Sequence, residues 1–550
     1  MTTFNKFKLA TMILLAGTVG CTKLNETYKT TVPGDQVQVA LGSQGTALLL
    51  GAAYNDIPTP FVNQDRVFSL MENSTDESLV PTRGGDWDDN GVWRVIHNHT
   101  WNADHDQILQ VYNLLNKLNF DATNVLGFNP SAEQAAEARF LRAFACYYIF
   151  DLYNQFPIRN PGDNLLNAPK VYFGDSAVNW LISEFTAALP ALSTSNTITQ
   201  ANPDACRIML MRCYLNKGAW LNRASPTFAD ADMQQVITLG NAVMANPAYK
   251  YMSNYFQNFN FNNGHSTEAI FAYPATSGVA ANNPGVQARW MMTFHYNEYD
   301  GQAPNAGWNG FSTIGDFYSS FSTTGQPAIT FSRADTVLDT RLGARTTSDT
   351  TCTKNSGIRP GFLVGQQYDQ NGVALQDRKK HPLAFVPTIA SNMIEQGSNL
   401  EVTGIRVAKY VPDFSDASGK WYSSTSGNWI MLIRYPEATL MVAEAKLRQA
   451  SPDAAGALAL VNALRTARGA APMASLPLVN TANVDDPNTL LAERGREFYW
   501  ESLRRTDLIR FGVFNVLWQY KPSDDPKYLI YPVPNQALAV NPNLKQNPGY

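Results

Sequence analysis

Cysteine is scarce in this sequence. The 550 residues include five cysteines, and no two of them are spaced as C-x-x-C, the spacing that zinc ribbons and thioredoxin-type redox sites use. Cys206 and Cys213 fall on one predicted helix about two turns apart, which is beyond the reach of a disulfide bond. The sequence therefore predicts buried free thiols and argues against a disulfide-stapled scaffold.

Charge and catalytic motifs are sparse as well. Charged residues make up 16% of the chain and the net charge is −4, so the composition lacks the basic surplus of a nucleic-acid-binding protein. No G-x-S-x-G, P-loop or G-x-G-x-x-G sequence is present. The hydrophobic content of 44% is that of a globular chain with a large core. We therefore expect a folded protein that does not bind nucleic acid.

Long hydrophobic runs are absent except at the N-terminus. Two lysines there precede an apolar run at 9–20, which is too short to cross a bilayer as a helix. The run ends at a small residue followed by Cys21, the pattern of a bacterial lipoprotein signal. Residues 1–20 are thus predicted to be a signal peptide, Cys21 the lipidated residue that holds the chain to a membrane, and 21–35 a tether. An ordinary export signal with an incidental cysteine is the alternative.

Helical periodicity dominates the remaining chain. Residues 36–250 and 431–550 show repeated amphipathic patterns, whereas 251–430 are rich in Asn, Gly, Ser and Thr and look like a loop-rich, ligand-binding face. The helix pairs recur about every 30–45 residues, which is typical of tetratricopeptide-like repeats. We therefore predict one mostly α-helical body over 36–550. Helices are predicted at 37–54, 104–119, 132–153, 176–190, 203–221, 230–246, 435–449 and 454–467, and short strands at 268–273 and 406–411.

The most informative stretch is 493–512. As a single helix it places Glu493, Glu497 and Glu501 at i, i+4 spacing on one stripe, with apolar side chains interleaved. Stacked carboxylates need cations from elsewhere, so we predict a helix that docks against the body and ends at Gly512 as its C-cap. A charge-rich active site is the alternative. The proline-rich and asparagine-rich segment that follows is predicted to form an extended strap.

These stretches together resemble the SusD/RagB family of outer-membrane nutrient-binding lipoproteins. The resemblance rests on ordered motifs, which are E-A-R-F-L-R-A at 137–143, E-A-I-F at 268–271, N-A-L-R-T-A-R-G at 462–469, E-R-x-x-E-F at 493–498 and Y-P-V-P at 531–534. It covers the chain from Cys21 to the last residue. Gly495 departs from the family pattern, in which a second Arg is common, and Ser502 stands where Gly is frequent; both positions are structural.

The resemblance implies a mostly helical scaffold of about four tetratricopeptide-like pairs with a loop-rich face. It implies a lipid-anchored, surface-displayed outer-membrane protein that binds an oligosaccharide and delivers it to a SusC-like TonB-dependent transporter. It implies no catalytic residues, so we expect a protein that is not an enzyme. A peptide-binding member of the same family is the alternative. A glycoside hydrolase, which would need two carboxylates flanking a cleft, is a further one.

Two loops have the makeup of a sugar-binding surface. Such a surface needs an aromatic face to stack on the sugar ring, and amide, carboxylate or guanidinium groups to hold its hydroxyls. One loop begins at 83 and the other at 289. The predicted ligand-binding residues are Asp86, Trp87, Asn90, Trp290, Tyr296, Trp308 and Asn309. For each tryptophan, ordinary core packing is the alternative.

The first of these loops also matches half of a calcium motif. The D-x-D-x-N-G run at 86–91 follows EF-hand spacing, but His97 occupies the position of the bidentate Glu. We therefore expect no cofactor, with calcium as the alternative. His97, His99 and His105 lack helical ligand spacing and are interpreted as packing or surface residues.

Overall fold

A computed structural model describes the chain over residues 34–276, 285–298, 307–321, 339–343, 360–369, 371–397, 400–412 and 426–550. The predicted signal peptide, the predicted lipidation site Cys21, nearly all of the predicted tether and Cys352 lie outside these residues. The chain divides into two units, residues 1–45 and residues 46–550. Within the described part of the chain, no helix is long and apolar enough to span a membrane.

Helices make up most of the regular structure, and the prediction of a mostly α-helical fold is confirmed. The first helices are α1 (Gly34–Asn55, kinked at Gly42), α2 (Pro58–Val62), α3 (Ser69–Glu72), α4 (Val92–His97), α5 (Asp106–Leu126), α6 (Ala132–Tyr153), α7 (Gly174–Ala188), α8 (Pro203–Leu221) and α9 (Asp230–Met244). The later ones are α10 (Ala288–Met291), α11 (Gly315–Ser319), α12 (Pro436–Arg448), α13 (Ala454–Ala467), α14 (Leu490–Phe498), α15 (Arg504–Arg510) and α16 (Asn535–Val540).

Short strands pair two by two rather than in one large sheet. They are β1 (Thr82–Arg83), β2 (Gln155–Ile158), β3 (Lys170–Phe173), β4 (Ala269–Tyr273), β5 (Gly361–Leu363), β6 (Gly365–Gln366), β7 (Ala384–Phe385), β8 (Ile394–Glu395), β9 (Arg406–Ala408) and β10 (Ile430–Arg434). The pairs β2–β3, β4–β10, β5–β9 and β6–β7 are antiparallel, and β1–β8 is parallel. The β4–β10 pair joins the two ends of the loop-rich region.

The long helices pack on one another in a continuous series. Helices α5 to α9 each pack on the next along the chain, as short connections favour. Helix α9 then packs on α12, and α12 on α13, although the loop-rich region separates α9 from α12 in sequence. The N-terminal and C-terminal helices therefore form one scaffold of tetratricopeptide-like pairs.

Helix α6 shows how local sequence sets the helix ends. The Oγ of Ser131 accepts a hydrogen bond from the backbone of Gln134, and the Gln134 side chain accepts one from the Ser131 backbone, which completes a capping box. Asn154 ends the helix in the left-handed conformation, at φ 62°. The helix carries little polar surface and is largely buried, including the free thiol of Cys146. Cys206 and Cys213 are likewise buried free thiols.

The prediction of one continuous helix over 493–512 is wrong. Helix α14 ends at Phe498 and α15 begins at Arg504, and between them Trp500 and Ser502 adopt left-handed backbone conformations with φ of 59° and 63°. The side chain of Glu77 accepts the backbone N–H of Trp500 at 3.2 Å. Distant carboxylates therefore satisfy donors that a continuous helix would have satisfied itself. Gly512 follows α15 at φ 74°, and its predicted role as a C-cap is confirmed.

The acidic side chains of this block are buried among guanidinium groups. Glu493 accepts hydrogen bonds from Arg341 at 2.8 Å and from Arg465 at 2.6 Å. Burial alone would raise the pKa of Glu493, but the charge of Arg341 holds this pKa well below its usual range. Glu501 lies beyond the end of α14 and accepts a 2.6 Å bond from Arg434. The prediction that cations from elsewhere meet these carboxylates is confirmed.

The C-terminal segment is less extended than predicted, because α16 interrupts it. Its remaining residues run along the body and are fixed by backbone contacts. The backbone N–H of Tyr531 donates to the carbonyl of Leu152 at 2.8 Å, and the Asn547 side chain donates to the carbonyl of Tyr153 at 3.0 Å. The segment thus closes over the end of α6.

Candidate functional site

The loop after β1 holds an unusual backbone. Trp87, Asp89, Asn90 and Gly91 have φ values of 61°, 39°, 56° and 78°, so four of five consecutive residues are left-handed. Non-glycine residues rarely adopt this conformation, and clusters of them are typical of ligand-binding segments. The loop is held by its own side chains, since Trp93 donates from Nε1 to Asp89 at 2.7 Å. This backbone places Trp87 against the second predicted loop.

The second loop receives the indole of Trp87. Nε1 of Trp87 donates a 2.6 Å hydrogen bond to the carbonyl of Trp308. Its ring packs edge-on against Trp93 and Phe311, with ring centroids 5.4 and 5.7 Å away. Gly310 lies directly under the indole, and a Cβ there would be 2.4 Å from Cε2 of Trp87. The position of Trp87 therefore depends on a glycine that sequence analysis did not single out.

Asp86 and Tyr296 meet at the same place. The hydroxyl of Tyr296 donates to the carboxylate of Asp86. Burial raises the pKa of Tyr296, and the Asp86 carboxylate raises it further. The guanidinium of Arg378 stacks on the Tyr296 ring at 3.7 Å from its centroid, and its Nη2 lies 3.4 Å from Asp86. Sequence analysis missed Arg378, because it lies in a charged run with no motif around it.

The buried side chains of Glu401 and His295 hold the guanidinium of Arg378 in place. Nε of Arg378 donates to Glu401 at 2.8 Å, and the ring of His295 contacts the same carboxylate at 2.9 Å. Burial alone would raise the pKa of Glu401, but the hydrogen bonds from His295 and Arg378 lower it to about 2. Burial lowers the pKa of His295. Glu401 is therefore a charged support that orients Arg378.

These groups line a surface cavity of about 430 Å³. Its lining residues are Asp86, Trp87, Asp89, Tyr296, Gly307 and Trp308. The side chain of Trp308 is 37% exposed, so part of its ring faces solvent. An exposed indole beside a phenol and two carboxylates matches the groups that hold a sugar ring and its hydroxyls. We call this the Trp308 cavity.

The structure brings together only some of the predicted residues. Asp86, Trp87, Tyr296 and Trp308 converge on the cavity, and Asn90 is exposed in the same loop. Trp290 and Asn309 are fully buried, so neither presents a surface to a ligand. The side chain of Asn309 instead accepts a 2.8 Å bond from Arg406 and supports the loop from inside.

The histidines and the acidic loop residues have protein partners. His97 contacts the carbonyls of Asn73 and Ser78 at 3.2 Å, and the ring of His99 contacts Asp524. In the described ranges, no group of three His, Cys, Asp or Glu side chains is arranged to hold a metal ion. The expectation of no cofactor stays a prediction, with calcium at the 86–91 loop as its alternative.

Comparisons with known proteins agree with this architecture. Residues 267–525 match the model of the SusD family. The starch-binding protein SusD of Bacteroides thetaiotaomicron is 25% identical over 512 residues, which cover 88% of this chain and 85% of that protein. A SusD-like protein from Bacteroides fragilis has a similar structure, with a TM-score of 0.68 and 17% identity over 94% of this chain and all of that one. A laminarin-binding SusD-like protein superposes with a TM-score of 0.64 and 18% identity, over 92% of this chain and 99% of that one. The chain therefore has a SusD-like fold, and its residues 267–525 match the SusD family, in agreement with the motifs and the helical scaffold.

Proposed function

We propose that this chain is a nutrient-binding lipoprotein of the cell surface that captures an oligosaccharide in the Trp308 cavity. The observation that carries the proposal is the convergence of Trp87, Trp308, Tyr296 and Asp86 on one open cavity, from loops more than 200 positions apart. The similarity to a starch-binding and to a laminarin-binding protein supports a glycan as the ligand.

The mechanism is binding without chemistry. The exposed face of Trp308 stacks on a sugar ring, and the Asp86, Tyr296 and Arg378 cluster holds hydroxyls with donors and acceptors that are already in place. Both carboxylates of the cavity are engaged by protein donors, since Tyr296 binds Asp86 and Trp93 binds Asp89. This arrangement supports recognition rather than the acid and nucleophile pair of a glycosidase.

Delivery completes the proposed role. The lipid on Cys21 would hold the protein on the outer membrane, and a SusC-like TonB-dependent transporter would receive the captured glycan. The sequence pattern before Cys21 and the family resemblance support this assignment. Labelling with a radioactive fatty acid, lost in Cys21→Ala, and copurification of a transporter from the membrane test the two parts separately.

Calorimetry tests the glycan site directly. We expect maltoheptaose or laminarihexaose to bind the wild-type chain, and Trp308→Ala to weaken that binding about tenfold, equivalent to about 1.4 kcal/mol. Phe173→Ala is the matched control, because this aromatic is 61% exposed and does not line the cavity. Unchanged affinity in Trp308→Ala would remove the cavity from the proposal. Binding of peptides from protein digests, without binding of any glycan, would overturn the proposal that the ligand is a glycan.

A further inference from the structure

A second cavity, of about 520 Å³, lies between α5, the segment after β2 and the C-terminal segment. It shares no lining residue with the Trp308 cavity. Its volume is within the range of small-molecule sites, roughly 300–1,000 Å³. We call it the α5 cavity.

One wall is a polar stripe on α5. Tyr112, Asn116, Asn119 and Thr123 all line the cavity and follow i, i+4, i+7 and i+11 spacing, so they share one face of the helix. The stripe is not a solvated surface, since Tyr112 is 4% and Asn119 6% exposed. A buried helix face at this position would ordinarily be apolar. The polar residues therefore call for a partner.

Two polar atoms of the lining residues lack one. Oδ1 of Asn119 and Nδ2 of Asn541 have no hydrogen-bond partner among the described residues, whereas the side chains of Tyr112 and Asn116 bond to each other. The other end of each unpaired amide is fixed. Nδ2 of Asn119 donates to the carbonyl of Pro157 at 2.9 Å, and Oδ1 of Asn541 accepts from the backbone of Asn543 at 3.0 Å. Unpaired buried groups cost stability, so they are typical of sites where a ligand supplies the missing bonds.

The walls are held in place without any ligand. The side chain of Asn535 donates to Asp104 at 2.7 Å, at one end of the C-terminal wall. Gln155 and the backbone of Lys545 exchange hydrogen bonds of 2.7 and 3.0 Å at the other end. The cavity is therefore preformed, which lowers the entropic cost of binding.

The lining also defines the charge of the ligand. None of its residues is Asp or Glu, and its one cation, Arg159, donates to the carbonyls of Asn164 and Leu165 at 3.2 Å. Amide oxygens, an amide N–H and a phenol match hydroxyl groups, which both donate and accept. Phe120 and Val540, 42% and 80% exposed, add apolar surface at the rim. We propose that the α5 cavity binds a neutral sugar residue, at a site separate from the Trp308 cavity.

The test uses the full chain carrying Trp308→Ala, which weakens binding at the first cavity. Saturation-transfer NMR with glucose, maltose and laminaribiose is expected to show binding of at least one of these probes. Asn116→Leu removes a polar lining group and should weaken that binding at least tenfold. The Asn116 amide bonds only to Tyr112, within the helix, so the fold should be retained. Asn124→Leu, on the same helix but outside the lining, is the matched control.

A second variant keeps the test valid if Asn116→Leu misfolds. Val540→Trp lies at the exposed rim and should block the cavity, with the same loss of binding and no change in thermal stability. Two results would overturn the proposal: no response to any of the three probes, or equal binding by Asn116→Leu, Val540→Trp and Asn124→Leu. A cavity filled by water alone would give the first of these. Residual binding at the Trp308 cavity does not affect this comparison, because all the compared variants carry Trp308→Ala.

Discussion

Nη2 of Arg468 donates a 2.7 Å hydrogen bond to the carboxylate of Glu497, and both side chains are fully buried. The same carboxylate accepts from Arg434 at 3.0 Å and from Arg341 at 3.3 Å. Burial would raise its pKa, but the charges of Arg468 and Arg434 lower the pKa of Glu497 to about 2. One side chain of α14 thus joins three segments that are far apart in sequence.

Glu497→Gln should strongly destabilise the fold. The substitution keeps the shape of the side chain but leaves three buried guanidinium groups without their shared charge. Breaking a buried pair in this way costs about 3–5 kcal/mol, measured as the free energy of unfolding in urea. Glu133→Gln is the matched control, because Glu133 is exposed and the change there should stay within about 0.5 kcal/mol. Equal effects of the two substitutions would show that the network adds no stability.

Stability should fall at both ends of the pH range, for opposite reasons. Burial raises the pKa of Glu444, but the charges of Arg510 and Arg448 outweigh it and lower the value to about 2. This carboxylate stabilises the fold above its unfolded pKa of about 4.3, and the contribution is lost as the pH falls through about 2. Burial raises the pKa of Glu72 to about 8. Its contribution is complete below pH of about 4.3 and is lost as the pH rises through about 8.

Glu72→Gln should remove the alkaline part of this dependence. A glutamine oxygen can still accept the backbone N–H groups of Ser502 and Leu503, so the local geometry is kept. We expect melting temperatures measured from pH 6 to 9 to vary less in the variant than in the wild type. Glu444→Gln should instead change the acidic side of the profile. An unaltered alkaline slope in Glu72→Gln would exclude this carboxyl as its source.

Gly310→Ala should displace the indole of Trp87. The new methyl group would overlap the ring, whereas the backbone of Gly310 is not left-handed and accepts alanine. We expect a shift in tryptophan fluorescence, a loss of about 1–3 kcal/mol in stability from overpacking, and weaker glycan binding. Gly85→Ala, where nothing lies within 4 Å, should change none of these. A normal glycan affinity in Gly310→Ala would mean that the position of Trp87 is unimportant for binding.

Gly512→Ala and Gly51→Ala should have effects of opposite sign. Neither added methyl group would meet another atom within 4 Å. Gly512 has φ 74°, where alanine costs about 1–2 kcal/mol, so this variant should unfold at lower denaturant. Gly51 lies inside α1, where alanine is favoured by about 0.5–1 kcal/mol. Two changes of the same sign in chemical denaturation would contradict the assignment of Gly512 as a conformational cap.

Much of the helical scaffold was predictable because its signals are local. The bounds of α6 follow from its capping box and its apolar periodicity, and both signals lie within residues 131–153. The break between α14 and α15 has no such signal. It depends on Glu72 and Glu77, whose carboxylates bind the backbone of 500–503 from the other end of the chain.

The residues of the Trp308 cavity were likewise only partly predictable from the sequence. The aromatic and acidic composition of the loops indicated Trp87 and Trp308, but it also indicated Trp290. Burial separates Trp290 from Trp308, and burial is set by the packing of distant segments. Arg378 became visible only when the fold placed it on the ring of Tyr296.

The contacts of residues 72–77 with the segment at 500–504 also constrain how the chain can fold. The partners of Glu77, Asp76 and Glu72 lie 423, 428 and 430 positions later, so the N-terminal half of the chain does not contain them. Without these partners, burying the three carboxylates would be costly. The N-terminal helices can therefore reach their final packing only when the C-terminal part of the chain is present.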